Sequence, residues 1–177
     1  MKILFLDVDG VLNCRTTPVT DGWPLDPHKV LLLHRILEKT GAQVVLSSSW
    51  RHSDEGIDVV NRALAPFKIL DHTHRLDTST RGNEIGRWIF ANSLSCRMDN
   101  NVEQYAILDD DSDMLQEQLP NFFKTTWEQG LTEEIAEAVT KHLTGIVLDV
   151  NNKIHIYEQT KTDAKDDDER GKGVASC

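Results

Sequence analysis

Two aspartates one residue apart, Asp7 and Asp9, follow the apolar run Ile3-Leu4-Phe5-Leu6 and precede Gly10. A second apolar run, Tyr105-Ala106-Ile107-Leu108, leads into Asp109-Asp110-Asp111-Ser112-Asp113. A third, Ala42-Gln43-Val44-Val45-Leu46, ends in Ser47-Ser48-Ser49-Trp50-Arg51, and Arg81 stands at the start of a helical stretch. Carboxylate oxygens suit a hard cation, and magnesium held by a few carboxylates, waters and phosphate oxygens is the natural choice. Carboxylates packed this closely repel one another, so a divalent cation would also relieve the charge of the site. A hydroxyl and a guanidinium are what the remaining phosphate oxygens would need.

The elements that must position these groups read as an α/β domain. The run at residues 2–6 is a strand buried on both faces, as in a parallel sheet. Gly10 lets the backbone turn sharply at its end. After a loop containing Asn13, Pro18 and Gly22, Asp26-Pro27 opens a helix that Gly41 stops. The strand at residues 42–46 completes a βαβ unit, so the two strands are expected to be parallel neighbours. Ser53 or Asp54 caps a second helix running to about Leu64, and a short strand is expected at 67–70. A third helix carries Arg81 in its first turn, with Ile85, Trp88 and Ile89 on its apolar face. A short helix stopping near Pro120, a strand at 122–125 and a helix from Thr132 to Gly145 complete the domain, residues 1–145. Residues 146–158 read as a β-hairpin around Asn151-Asn152, and residues 159–177 as a disordered acidic tail. In open α/β sheets ligands bind outside the carboxyl ends of the strands, where all of these polar residues fall.

Composition narrows the class. A net charge of −10 disfavours bulk electrostatic binding of nucleic acid, though not a small basic pocket for one phosphate. Cys14, Cys96 and Cys177 have neither metal-ligand spacing nor a disulfide pattern, and no apolar stretch reaches membrane-spanning length. A cytoplasmic protein that touches no membrane is expected; its oligomeric state is open.

The residues resemble the haloacid dehalogenase (HAD) superfamily. Leu6-Asp7-Val8-Asp9-Gly10 is similar to its motif I, and Val44-Val45-Leu46-Ser47 to motif II. Arg81 resembles motif III, with Lys68 as the other candidate, and Leu108-Asp109-Asp110-Asp111-Ser112-Asp113 resembles acidic motif IV. Ser47-Ser48-Ser49-Trp50-Arg51, Arg81-Gly82-Asn83-Glu84-Ile85 and Gly130-Leu131-Thr132 resemble the branch found in Swiss-army-knife RNA-repair proteins. The resemblance covers residues 1–144 and implies a Rossmann-like fold, a central parallel sheet flanked by helices, with a minimal cap. It also implies a magnesium-dependent phosphatase working through an aspartyl-phosphate on a phosphorylated small molecule, a nucleotide or a nucleic-acid end. Asp7 would be the nucleophile and Asp9 the general acid and base. Asp7, the Asp9 backbone carbonyl and Asp109 would hold Mg2+, with Asp110 or Asp113 in support. Ser47, Ser48 and Arg81 would bind the substrate phosphate. The alternatives are a non-catalytic phosphate- or magnesium-binding regulatory module and a phosphotransferase to an acceptor other than water.

Plainer roles compete at single residues. Ser47 suits a turn or helix cap nearly as well as a phosphate contact, and Asn13 fits either reading equally. Arg51 could reach a substrate phosphate but reads better as one half of a surface salt bridge, His72 and His74 as surface histidines, and Trp23, Trp50, Trp88 and Trp127 as packing residues.

Overall fold

A computed structural model of the chain describes residues 1–18, 24–76, 79–93 and 102–145, together with the backbone of 146–148 and 154–156. Five parallel strands form the central sheet: β1 (Lys2–Leu6), β2 (Gln43–Leu46), β3 (Ile69–His72), β4 (Gln104–Asp109) and β5 (Phe122–Lys124). Their order is β3-β2-β1-β4-β5, with β1 at the centre. Helices α1 (Pro27–Thr40), α2 (Asp54–Leu64) and α3 (Arg81–Ser93) link successive strands from β1 to β4, and α4 (Glu133–Thr144) follows β5. Beyond them β6 (Ile146–Leu148) and β7 (Ile154–Ile156) pair antiparallel. The tail expected after residue 158 lies outside the described residues.

Sequence signals set the helix ends. The Asp26 carboxylate accepts from the His28 N–H at 2.9 Å, Pro27 occupies the first turn, and Gly41 closes α1 in the left-handed region. Ser53 caps α2 and Thr132 caps α4. The helix expected before Pro120 is a short 3-10 helix, Gln116–Asn121, with Pro120 inside it. At its two ends the Gln118 N–H donates to the Leu115 carbonyl and the Phe122 N–H to the Leu119 carbonyl.

Successive residues of a strand face opposite sides of a sheet, and the core follows that rule. Leu4, Leu6, Val44, Leu46, Ala106 and Leu108 pack under α1, α2 and α4. Ile3, Phe5, Val45 and Ile107 pack with Ile85 and Trp88 of α3. Phe5 meets Trp88 edge to face at 5.4 Å. The odd-numbered positions of β1, β2 and β4 therefore face α3, which decides where the polar residues at their ends point.

Candidate active site

Leu6 is level with Leu46 on one side and with Leu108 on the other. Asp7, Ser47 and Asp109 consequently stand in one row at the carboxyl edge. Ladder bonds continue through it: the Asp7 N–H donates to the Leu108 carbonyl and the Ser47 N–H to the Leu6 carbonyl, each at 2.9 Å. All three are odd-numbered and continue the α3 side of the sheet, where Arg81 begins its helix.

Oxygens of Asp7, Asp109 and Asp110 all lie within 4.8 Å of one another. Arg81 faces the same group, its Nη1 3.5 Å from Asp7 Oδ1 and its Nε 3.8 Å from Asp109 Oδ2. Gly10, at φ +69°, is what admits Asp110: a Cβ there would sit 2.3 Å from the Asp110 Cγ. Asp113 is not brought to the cluster. Its Oδ2 accepts the Arg81 backbone N–H at 2.8 Å, so it caps α3 instead. Gly82 lets that helix start lie against the acidic loop, since a Cβ would meet the Leu115 nitrogen at 2.6 Å. Gln118 then clasps the two segments, donating to the Gly82 carbonyl at 2.8 Å and accepting from Leu115 N–H at 3.0 Å. Lys68 immediately precedes β3 and so lies at the amino edge of the parallel sheet, away from all of this.

Burial governs the electrostatics. Loss of solvent raises Asp7 to about 6, against the opposing pull of Arg81 and a hydrogen bond from Ser48. Asp109 rises to about 7, through burial first and the neighbouring Asp7 charge second. Asp110 also shifts upward, from burial and the Asp111 charge. Such a group could hold a multivalent cation, and one atom in particular fits that use. Asp109 Oδ2 is buried and has no hydrogen-bond partner among the described residues. Arg81 Nη1, beyond its 3.5 Å ion pair with Asp7, and Ser47 Oγ likewise have no hydrogen-bond partner among the described residues. Ser48 is engaged differently, its hydroxyl serving Asp7 and capping the 3-10 turn Ser49–His52 through the Trp50 N–H at 3.3 Å.

Arg51 is a correction to the surface salt bridge expected of it. The 3-10 turn folds the side chain back beneath the loop. Its Nη1 donates to the Ser47 and Ser48 carbonyls, each at 2.6 Å, and its Nη2 pairs with Glu84 Oε2 at 2.6 Å. Glu84 in turn accepts the Leu76 N–H at 3.2 Å. A buried ion pair thus ties the serine loop to α3. Trp127 is also a correction, being 46 % exposed rather than packed, while Trp23 lies outside the described residues.

Sequence reasoning missed several groups. Thr73 and Thr125 follow β3 and β5 and extend the polar row outward, both fully buried with hydroxyls that have no partner among the described residues. Threonines after short strands carry no distinguishing pattern. Asn13, which the sequence left open to either reading, donates its Nδ2 to Asp9 Oδ1 at 2.8 Å, and Trp50, expected only to pack, donates its Nε1 to Asp9 Oδ2 at 2.9 Å. No spacing announces an indole N–H reaching across from the end of β2 to the end of β1.

No helix among the described residues is long and apolar enough to cross a membrane. No curated protein and no solved structure matches the chain. Residues 3–136 do match a family model, that of the HAD domain in Swiss Army Knife RNA repair proteins. With its D-x-D-G strand end, level serine and opposing acidic strand end inside that span, the chain belongs to this HAD family.

Proposed function

We propose that the protein is a phosphohydrolase that cleaves a phosphomonoester through an aspartyl-phosphate on Asp7. The observation that carries this reading is the set of open valences at one strand edge: Ser47 Oγ, Arg81 Nη1 and Asp109 Oδ2, all buried, around the Asp7 carboxylate. A tetrahedral phosphoryl group with its counter-cation would satisfy the set. In the first displacement an Asp7 oxygen forms the bond to phosphorus, the ester P–O bond breaks, and Asp9 gives a proton to the leaving oxygen. Asp9 then takes a proton from water as that water attacks phosphorus. The P–O bond to Asp7 breaks, orthophosphate leaves and Asp7 is restored. Ser47 and Arg81 bind the phosphoryl oxygens throughout and gain as charge spreads over them.

Asp7, Asp109 and Asp110, with the Asp9 carbonyl, would hold Mg2+. When bound, the ion supplies counter-charge to carboxylates and phosphate alike. Asp113 is better explained as the cap of α3. The family's place in RNA repair supports a nucleotide or the phosphorylated end of a nucleic acid as substrate, and the charge of −10 favours gripping that end over gripping a polyanion along its length.

Phosphate release from p-nitrophenyl phosphate, nucleoside monophosphates and 5′- or 3′-phosphorylated oligonucleotides, with magnesium or with chelator, tests the proposal. Release is expected to require magnesium and to vanish in Asp7→Asn. Release that persists in Asp7→Asn removes the covalent route, and no release from any ester by the wild type favours a binding module.

A further inference from the structure

We propose that Trp50 and Asn13 are positioning residues that fix the carboxyl plane of Asp9 for its proton transfers, a role that rests on the phosphohydrolase reading above. Asp9 is only half-buried and extends from a loop, so nothing in the sheet itself fixes its rotamer. Two donors from different elements do. Trp50, 4 % exposed in the 3-10 turn after β2, gives its indole N–H to Oδ2 at 2.9 Å. Asn13, 3 % exposed in the turn after β1, gives its amide to Oδ1 at 2.8 Å.

The Asn13 amide cannot turn round without loss. Its Oδ1 accepts the Gly10 N–H at 3.0 Å, which leaves the NH2 group toward Asp9 and the Pro24 carbonyl, 3.3 Å away. Trp50 is anchored in turn by its place among the core residues and by the Ser48 cap. Each Asp9 oxygen spends one lone pair on its donor and keeps another for the travelling proton. The clamp therefore sets direction without occupying the acid. Proton transfer depends steeply on alignment, and a misplacement of about 1 Å costs roughly a hundredfold.

A buried indole must satisfy its N–H in any case, so the test separates orientation from packing. Steady-state kinetics compare p-nitrophenyl phosphate, whose leaving oxygen departs readily without a proton, with a nucleoside 5′-monophosphate, whose alkoxide needs one. Trp50 is changed to Phe and, keeping its shape without the N–H, to benzothienylalanine. In both proteins kcat/KM, which reports only the steps up to phosphorylation of Asp7 and leaves out the hydrolysis common to both esters, is expected to fall about tenfold further on the nucleotide than on p-nitrophenyl phosphate. Equal loss on the two esters in the benzothienylalanine protein overturns the role, as does no loss. Should the wild type release phosphate from no ester of the panel above, oligonucleotides included, the phosphohydrolase reading falls and takes this role with it; proportional loss in an active protein strikes the role alone. A readout free of turnover accompanies the kinetics. Of the four tryptophan indole N–H resonances, the one missing from Trp50→Phe is expected to shift in Asp9→Ala, and a resonance that stays in place refutes the contact.

Discussion

Replacing Asp109 by asparagine should make the metal-free protein more stable at neutral and alkaline pH, although it removes a residue from the centre of the site. Asp109 is fully buried beside Asp7, and its carboxyl is raised from the ordinary 3.8 to about 7. A folded-state value above the unfolded one means that the native protein holds its proton longer. The stability that goes with it is whole below about pH 4 and is lost as pH climbs through 7. Roughly three units at about 1.4 kcal/mol each put the full cost of ionising Asp109 in the fold near 4 kcal/mol. Asparagine cannot ionise, but it leaves Arg81 facing only Asp7 and its own NH2 short of an acceptor. We therefore expect a net gain of about 2 kcal/mol at pH 8 in chelator, or roughly 4–8 °C in Tm for a chain of this size, and none near pH 4.5. Magnesium should raise the Tm of the wild type at pH 8, because it binds the folded state alone, and should leave Asp109→Asn where it is. Thermal unfolding followed by circular dichroism across pH 4.5–8, with chelator and with magnesium, reads both effects. A variant less stable than wild type by the same margin at both pH values would show that the pair carries no strain from burial.

Gly10→Ala forces a Cβ to within 2.3 Å of the Asp110 Cγ and demands a left-handed alanine. We expect a loss of about 1–3 kcal/mol and, by calorimetric titration, magnesium affinity weakened about tenfold; unchanged affinity would remove Asp110 from the ion's ligands. Arg51→Met leaves Glu84 charged and buried without its partner. Chemical denaturation should register a loss of about 3–5 kcal/mol, partly recovered by adding Glu84→Gln, and a loss under about 1 kcal/mol would make the pair peripheral.

The sheet was legible because parallel strands buried on both faces are written as unbroken apolar runs, and Ile3 to Leu6, Val44 to Leu46 and Ala106 to Leu108 are such runs. Once those strands are parallel neighbours, their first polar residues must share an edge, so the meeting of Asp7 with Asp109 followed from pattern alone. Choosing between Asp110 and Asp113 did not, because that depends on how the chain leaves β4. Asp110 is still close enough to lie over Gly10, whereas Asp113 has travelled far enough to reach the start of α3. Arg51 was misread for a related reason. Its burial is decided by a one-turn 3-10 segment whose direction no periodicity records, and an arginine in a polar stretch reads as solvated until its carbonyl partners are visible. The donors on Asp9 were hidden likewise, since Trp50 satisfies a packing pattern completely while its N–H does something else.

The docking of α3 on the acidic loop explains why so many aspartates crowd one strand end. Asp109 and Asp110 stay with the cluster at the sheet edge, while Asp113 holds the first N–H of α3 and the Asp113 carbonyl accepts the next, from Gly82, at 3.3 Å. The side chain that begins that helix is Arg81. A rigid clasp through Gly82 and Gln118 therefore fixes the distance between the carboxylates that repel one another and the guanidinium that partly offsets them. On the other side, Arg51 and Glu84 fasten the same helix to the carbonyls of Ser47 and Ser48. α3 is thus tied at its first turn to both neighbouring strand ends, and the Arg81 guanidinium and the Ser47 hydroxyl cannot drift relative to the acids without breaking buried polar contacts on one side or the other. Preorganisation of that kind is what phosphoryl transfer asks of a protein, because there the catalytic gain lies almost wholly in placing charge.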